Sequence, residues 1–178
     1  MRHGAIDNGF LSGDMLKRVN VELVSVSELK PHEEIDENRL SEVLESITRE
    51  GLKYPVVVDR RTNIIIDGHH RFNTFKKLNV DKIPVFYVDY FDARIVLDSW
   101  RGLKLTKNDV IEKVDSGKLF LHKTTKHVFL SDNGPVHISV ILPEVNLKVV
   151  TSGDVMRKKC AESLVSENIS NLDMLRHR

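Results

Sequence analysis

The segment Asp67-Gly68-His69-His70-Arg71 places a carboxylate, a glycine, two imidazoles and a guanidinium in five consecutive positions. A β-rich run delivers the chain to Gly68, and a helical pattern begins just after it. A helix N-terminus carries unpaired N–H groups and a partial positive charge, worth about 0.3–1 kcal/mol to a nearby anion. Gly68 lets the backbone approach a phosphate closely. His69, His70 and Arg71 add side-chain donors, and an arginine can grip phosphate oxygens with two parallel bonds. Asp67 supplies a hard oxygen ligand suited to Mg²⁺ riding on a nucleotide. Anion donors beside a carboxylate suit phosphoryl transfer better than simple anion storage. The same residues also fit an Asp-Gly turn ahead of a capped, solvated helix start, and on their own they leave both readings open. A His-His zinc site is the weakest reading, because Cys partners and a His-x-x-x-His spacing are absent.

Three other segments carry polar chemistry. His32-Glu33-Glu34 follows Pro31. A carboxylate on such a loop could act as general base for a hydroxyl nucleophile; it could equally be an exposed acidic lead-in to a helix. Lys123-Thr124-Thr125-Lys126-His127 offers cations, hydroxyls and an imidazole able to hold a carboxylate or phosphate, or forms a basic surface loop. Trp100, the single tryptophan, could wall a ligand pocket or pack in the core. Asp89-Tyr90-Phe91-Asp92 reads as a structural corner. No P-loop, dinucleotide-binding glycine fingerprint, Cys-x-x-Cys pair or nucleophile elbow is present.

The elements that must position these residues are partly readable. Val21–Val26 reads as a strand. Leu40, Val43, Leu44 and Ile47 make one helical face, with Asp36 as N-cap and Gly51 just past the end. Pro55–Asp59 and Asn63–Ile66 read as a hairpin joined by polar Arg60–Thr62. Phe72, Phe75 and Leu78 mark a second helix, ended by Asn79 in a left-handed conformation. Ile83–Asp89 and Ile95–Leu97 read as strands. Thr106 to Asp109 resembles a capping box ahead of a short helix ending at Gly117. Val136–Leu142 and Val145–Val150 alternate like strands. Leu11–Val19 and the chain from Asp154 onward read as helical. The expected class is α+β: an N-terminal part, residues 1–100, with a small mixed sheet and flanking helices, completed by a C-terminal α/β part, residues 101–178.

The 178 residues are 40% hydrophobic and 30% charged, an ordinary globular balance, with net charge +1. That charge gives no whole-molecule pull towards nucleic acid or an acidic membrane. One cysteine, Cys160, excludes an intramolecular disulfide. There is no apolar run of membrane-spanning length and no apolar signal region near the N-terminus. A cytoplasmic protein is expected, and its oligomeric state is not readable.

Leu29-Lys30-Pro31-His32-Glu33, Pro55-Val56-Val57-Val58 and Ile66-Asp67-Gly68-His69-His70-Arg71, in that order, resemble the ParB/sulfiredoxin-like superfamily. With Asp89-Tyr90-Phe91-Asp92, Trp100 and Lys123-Thr124-Thr125-Lys126-His127-Val128, the chain more closely resembles the archaeal free serine kinases of that superfamily. The resemblance runs from Val21 to Leu130. It implies transfer of a phosphate from a nucleotide, ATP or ADP, with Mg²⁺, to the hydroxyl of free L-serine, giving O-phospho-L-serine for cysteine biosynthesis. It implies Glu33 as base and Asp67 as metal ligand and aid to the nucleophile. It places Gly68, His69, His70 and Arg71 on the nucleotide phosphates, and Trp100, Lys123, Thr124, Thr125 and His127 around serine. Lys126 stands where the family can have Arg, and only 22 residues separate Trp100 from Lys123, where some members carry a long insertion. The compact form favours ATP. A ParB-like nucleotide-binding, DNA-associated protein or regulator without turnover is the alternative, although no two-helix reader is evident. A sulfiredoxin-like reductase would need a cysteine near the Asp67–Arg71 turn, where position 69 is His.

Overall fold

The computed structural model describes residues 21–145. The helices expected over Leu11–Val19 and from Asp154 onward lie outside them, as does nearly all of the strand expected over Val145–Val150. The described chain is α+β. A mixed sheet has the order β1-β4-β2-β3, from β1 (Val21–Ser25), β2 (Val56–Asp59), β3 (Ile65–Asp67) and β4 (Lys82–Val88). β1 runs antiparallel to β4, β4 parallel to β2, and β2 antiparallel to β3. A second, antiparallel sheet has the order β5-β6-β7, from β5 (Ile95–Ser99), β6 (Thr125–Ser131) and β7 (Gly134–His137).

Helix α1 (Glu37–Glu50) starts where expected. The Asp36 side chain accepts from the Arg39 N–H, and Gly51 ends the helix at φ 90°. Helix α2 (His69–Lys77) follows the hairpin, and Asn79 takes the left-handed φ of 51°. Helix α3 (Lys107–Asp115) has the capping box, with Asp109 returning to the Thr106 N–H.

The mixed sheet is buried on both faces, which explains the unbroken apolar run of β2. Val56, Val58, Ile65 and Val85 pack with Ile47 and Leu52 of the α1 region and with Phe72 and Phe75 of α2. Val57, Ile66, Phe86 and Val88 point the other way, onto Val110 of α3, Phe129 of β6 and Ile138. The strand expected over Val136–Leu142 stops at His137. There the His137 Nδ1 accepts from the Ser139 N–H at 3.2 Å and opens a 3-10 turn over Ile138–Ile141 that buries Ile138. A local side-chain bond competes with the ladder, and alternation alone does not reveal it.

The β2–β3 register shifts at one point: Val57 faces Asp67, but Val58 faces Ile65. The extra residue is a bulge immediately before Asp67, and such bulges re-aim the side chains that follow.

Candidate active site

The turn from β3 into α2 is built around Gly68. Its φ of 98° and ψ of 28° are left-handed, and a Cβ here would meet the Arg71 guanidinium at 3.0 Å. Glycine is therefore required twice, for its dihedral and for the close approach. Arg71 folds back beneath the turn. Its Nη2 donates to Asp67 Oδ2 at 2.7 Å, and its Nη1 donates to the carbonyls of Tyr54 at 3.1 Å and Pro55 at 2.5 Å. Arg71 thus clamps Asp67 in place, and both terminal nitrogens are occupied within the protein. Gly68→Ala is expected to cost about 1–3 kcal/mol from the strained dihedral and displaced guanidinium, or roughly 2–4 °C of melting temperature per kcal/mol. Calorimetry checks the loss.

His70 couples the two helix starts: its Nε2 accepts from the N–H of Asp36, the N-cap of α1, at 3.2 Å. Partial burial holds its pKa below the usual value. The N-termini of α1 and α2 therefore lie side by side, and both contribute positive potential to the same place.

Beneath the turn lies a layer of three buried histidines. The His32 ring meets His69 edge to face at a centroid distance of 4.5 Å, and His127 at 5.6 Å. The His32 Nδ1 donates to the Ile65 carbonyl at 2.7 Å, and His127 has a backbone bond to Ile66. The backbone groups around the bulge are thus taken up by imidazoles. His69 Nε2 accepts from the His32 N–H at 3.3 Å, and the Tyr90 hydroxyl donates to His127 Nε2 at 2.9 Å. Tyr90 is in turn held by Asp59, whose Oδ1 accepts its N–H. Burial keeps all three histidines neutral, His32 at about 4 and the other two well below the usual range.

Glu33 reaches the layer from the opposite side. The segment His32–Glu34 is zipped to Phe120 by two backbone bonds of 2.8 Å. Glu33 Oε1 accepts from the N–H of Thr124 at 3.1 Å, the N–H of Thr125 and the hydroxyl of Thr125. Burial raises the Glu33 pKa against the pull of those donors.

Glu33, Asp67, Gly68, His69, His70 and Arg71 border one cavity of about 1090 Å³, together with Trp100, Lys123, Thr125 and His127. Trp100 is 56% exposed, with the Lys126 ammonium 4.8 Å over its ring and His137 at 6.3 Å. Lys123 sits at a left-handed φ of 53° in the turn before β6. Thr124 is turned inward: its hydroxyl donates to the Leu121 carbonyl at 2.6 Å, and its own carbonyl accepts from Ser99. Sequence reasoning gave no role to His32, Tyr90, His122 or His137. His32 was signalled by its place beside Glu33, and Arg71 by its i, i+4 spacing from Asp67. His122 and His137, which also line the cavity, carry no local signal.

As a metal donor set, the site offers Asp67 with one oxygen on Arg71. Among the described residues no group of three or more His, Cys, Asp or Glu side chains is arranged to hold a metal ion. Asp67, one of several carboxylates that line the cavity, fits Mg²⁺ that arrives on phosphates, not a caged resident ion. Nor is any helix among the described residues long and apolar enough to cross a membrane.

An ATP-dependent L-serine kinase of Staphylothermus marinus is 38% identical, over 75% of this chain and 65% of its own. An ADP-dependent L-serine kinase of Thermococcus kodakarensis is 28% identical, over 55% of this chain and 43% of its own. The chain thus spans about two thirds of the first relative and less than half of the second. A solved free serine kinase carrying a glutamate-to-glutamine replacement, in complex with AMP, superposes with a TM-score of 0.58 at 16% identity, covering 68% of this chain and 93% of that one. At that identity the likeness is one of fold. A family model described as the ParB N-terminal domain matches residues 7–97, half of the chain. The chain belongs to the ParB N-terminal domain family.

Proposed function

We propose that the chain is a nucleotide-dependent kinase of free L-serine. The observation that carries this reading is that one cavity is bordered by a half-buried carboxylate, Glu33, by a glycine turn at paired helix N-termini, and by a cation and an aromatic wall, Lys123 and Trp100. The serine hydroxyl oxygen attacks the terminal phosphorus of the nucleotide. Its proton passes to Glu33, and the shortened nucleotide leaves with the electron pair of the broken P–O bond. Glu33 acts as general base, which typically contributes about 10²–10⁴-fold. The backbone N–H groups after Gly68, with His70, receive the phosphates. Asp67 would hold Mg²⁺, which would offset phosphate charge, and Arg71 keeps Asp67 aimed. Lys123 faces the serine carboxylate, and Trp100 closes the pocket. His127 acts through the layer beneath, because both of its ring nitrogens are engaged; His69, whose Nε2 accepts from the His32 N–H, keeps an Nδ1–H able to donate to a phosphate.

ATP is the proposed donor, supported by the ATP-dependent relative at 38% identity against 28% for the ADP-dependent one. Phosphorus NMR of a reaction with serine and Mg²⁺ separates the two. ATP should give ADP and O-phospho-L-serine in equal amounts. Turnover with ADP alone, yielding AMP, would reverse the donor assignment and leave the kinase reading intact. A nucleotide-binding ParB-like protein without turnover is the other reading, favoured by the family match alone. It predicts nucleotide binding with no phosphoserine.

A further inference from the structure

Three hydrogen bonds run in series through the base. The His32 Nδ1 lies 2.7 Å from the Ile65 carbonyl, the His32 Nε2 lies 2.9 Å from the Thr125 Oγ1, and the Thr125 Oγ1 lies against Glu33 Oε1. Three bonds need three protons. A neutral imidazole brings one and a hydroxyl brings one. The Ile65 carbonyl can only accept, so the imidazole proton sits on Nδ1 and Nε2 must receive. The Thr125 hydroxyl then has one proton and two claimants, His32 Nε2 and Glu33 Oε1.

We propose that His32 is a positioning residue for the base: by claiming the Thr125 hydroxyl proton, it makes Glu33 retain a proton that an ordinary carboxylate would release. With Glu33 protonated, the series closes as Glu33 O–H to Thr125, Thr125 O–H to His32 Nε2, and His32 N–H to Ile65. When Glu33 ionises, its proton leaves through the cavity to water. The Thr125 hydroxyl turns to the carboxylate, and the buried His32 Nε2 is left facing an oxygen lone pair. A buried acceptor stranded in this way makes ionisation harder. His32 is fully buried, so no water replaces the lost donor. The other groups around the series are the neutral His69 and His127 against the His32 ring, Asp67 at the end of β3, and three backbone groups, those of Lys123, Thr124 and Thr125, whose bonds to Glu33 favour its ionised form and work against His32. Burial lowers the pKa of His32 and raises that of Glu33, while a Thr125 hydroxyl turned to the carboxylate lowers it, so the direction in which that hydroxyl points sets part of the balance.

The inference rests on the kinase reading for its kinetic test, so a second readout is independent of turnover. His32→Asn keeps an N–H for the Ile65 carbonyl and deletes Nε2. His32→Gln keeps an acceptor for Thr125. In the pH dependence of kcat/KM for serine, the acid limb of His32→Asn should move down by about one pH unit, equivalent to about 1.4 kcal/mol. That of His32→Gln should stay near wild type. Equal losses of rate in both variants with no movement of the limb would mean a merely structural role and overturn the proposal. In nucleotide-free protein, ¹⁵N spectra should show His32 as the Nδ1–H tautomer. The carboxylic-acid infrared band that disappears in Glu33→Gln should titrate at lower pH in His32→Asn. An Nε2–H tautomer, or an unmoved band, would overturn the proposal even if the variants prove unstable or serine is not the substrate. Absence of phosphoserine with the expected tautomer and band shift would defeat the kinase reading while leaving the hydrogen-bond series standing.

Discussion

Glu33→Gln should lower kcat for serine phosphorylation by about 10²–10⁴-fold, the range of a lost general base, while nucleotide affinity changes little. The amide is isosteric, so the backbone donors of Thr124 and Thr125 keep an acceptor and the zipper between His32–Glu34 and Phe120 is undisturbed. The proposed nucleotide site is formed by other residues, those of the Gly68 turn and the start of α1. Steady-state kinetics beside calorimetric nucleotide titration would measure both quantities. A variant with near-wild-type kcat would remove Glu33 from the role of base. In the wild type, the raised pKa of Glu33 should place the acid limb of kcat/KM above the usual glutamate range, with activity expected to rise with pH through it.

The second large effect is on stability in acid. His32, His69 and His127 are neutral in the fold but charge near the usual 6.5 when the chain unfolds. Their folded pKa values are depressed, so the stability they contribute is complete above 6.5 and is lost as pH falls from there towards the folded values. For His32, falling to about 4, the full loss is roughly 3 kcal/mol at about 1.4 kcal/mol per unit. Glu33 works in the other direction. Its raised pKa adds stability as pH falls through the folded value, and so offsets part of the loss. The net expectation is a melting temperature that drops clearly between pH 7 and pH 5, before most carboxylates titrate. His127→Asn and His69→Asn should each flatten that drop while lowering stability at pH 7. A melting temperature level from pH 7 to pH 5 would contradict a neutral histidine layer.

Much of the frame was legible from local pattern. The apolar spacing of Leu40, Val43, Leu44 and Ile47, with Asp36 and Gly51 at its ends, marks α1 because all of those signals lie within sixteen residues. The unbroken Val56-Val57-Val58 run marks a strand, and the two packed faces of β2 account for it. What local pattern could not show is where polar groups find partners. His32 reads as a loop residue beside two glutamates, yet it is fully buried because Thr125, 93 positions on, and Ile65 satisfy its ring. Arg71 reads as a phosphate donor, yet its terminal nitrogens are taken by Asp67, Tyr54 and Pro55. Thr124 reads as a ligand group, and its hydroxyl is spent closing a turn. The His32 partners and the Tyr54 and Pro55 carbonyls on Arg71 are distant in sequence, and the Thr124 bond depends on rotamer direction; spacing signals only the Asp67–Arg71 pair.

The most direct test of the central claim is the product formed when the purified chain meets free L-serine, Mg²⁺ and ATP. Mass spectrometry should detect O-phospho-L-serine accumulating with time and enzyme concentration, at least about 10²-fold more slowly with Glu33→Gln, and no phosphate on a serine flanked by peptide bonds. No phosphoserine from free serine with either ATP or ADP, despite measurable nucleotide binding, would contradict the account.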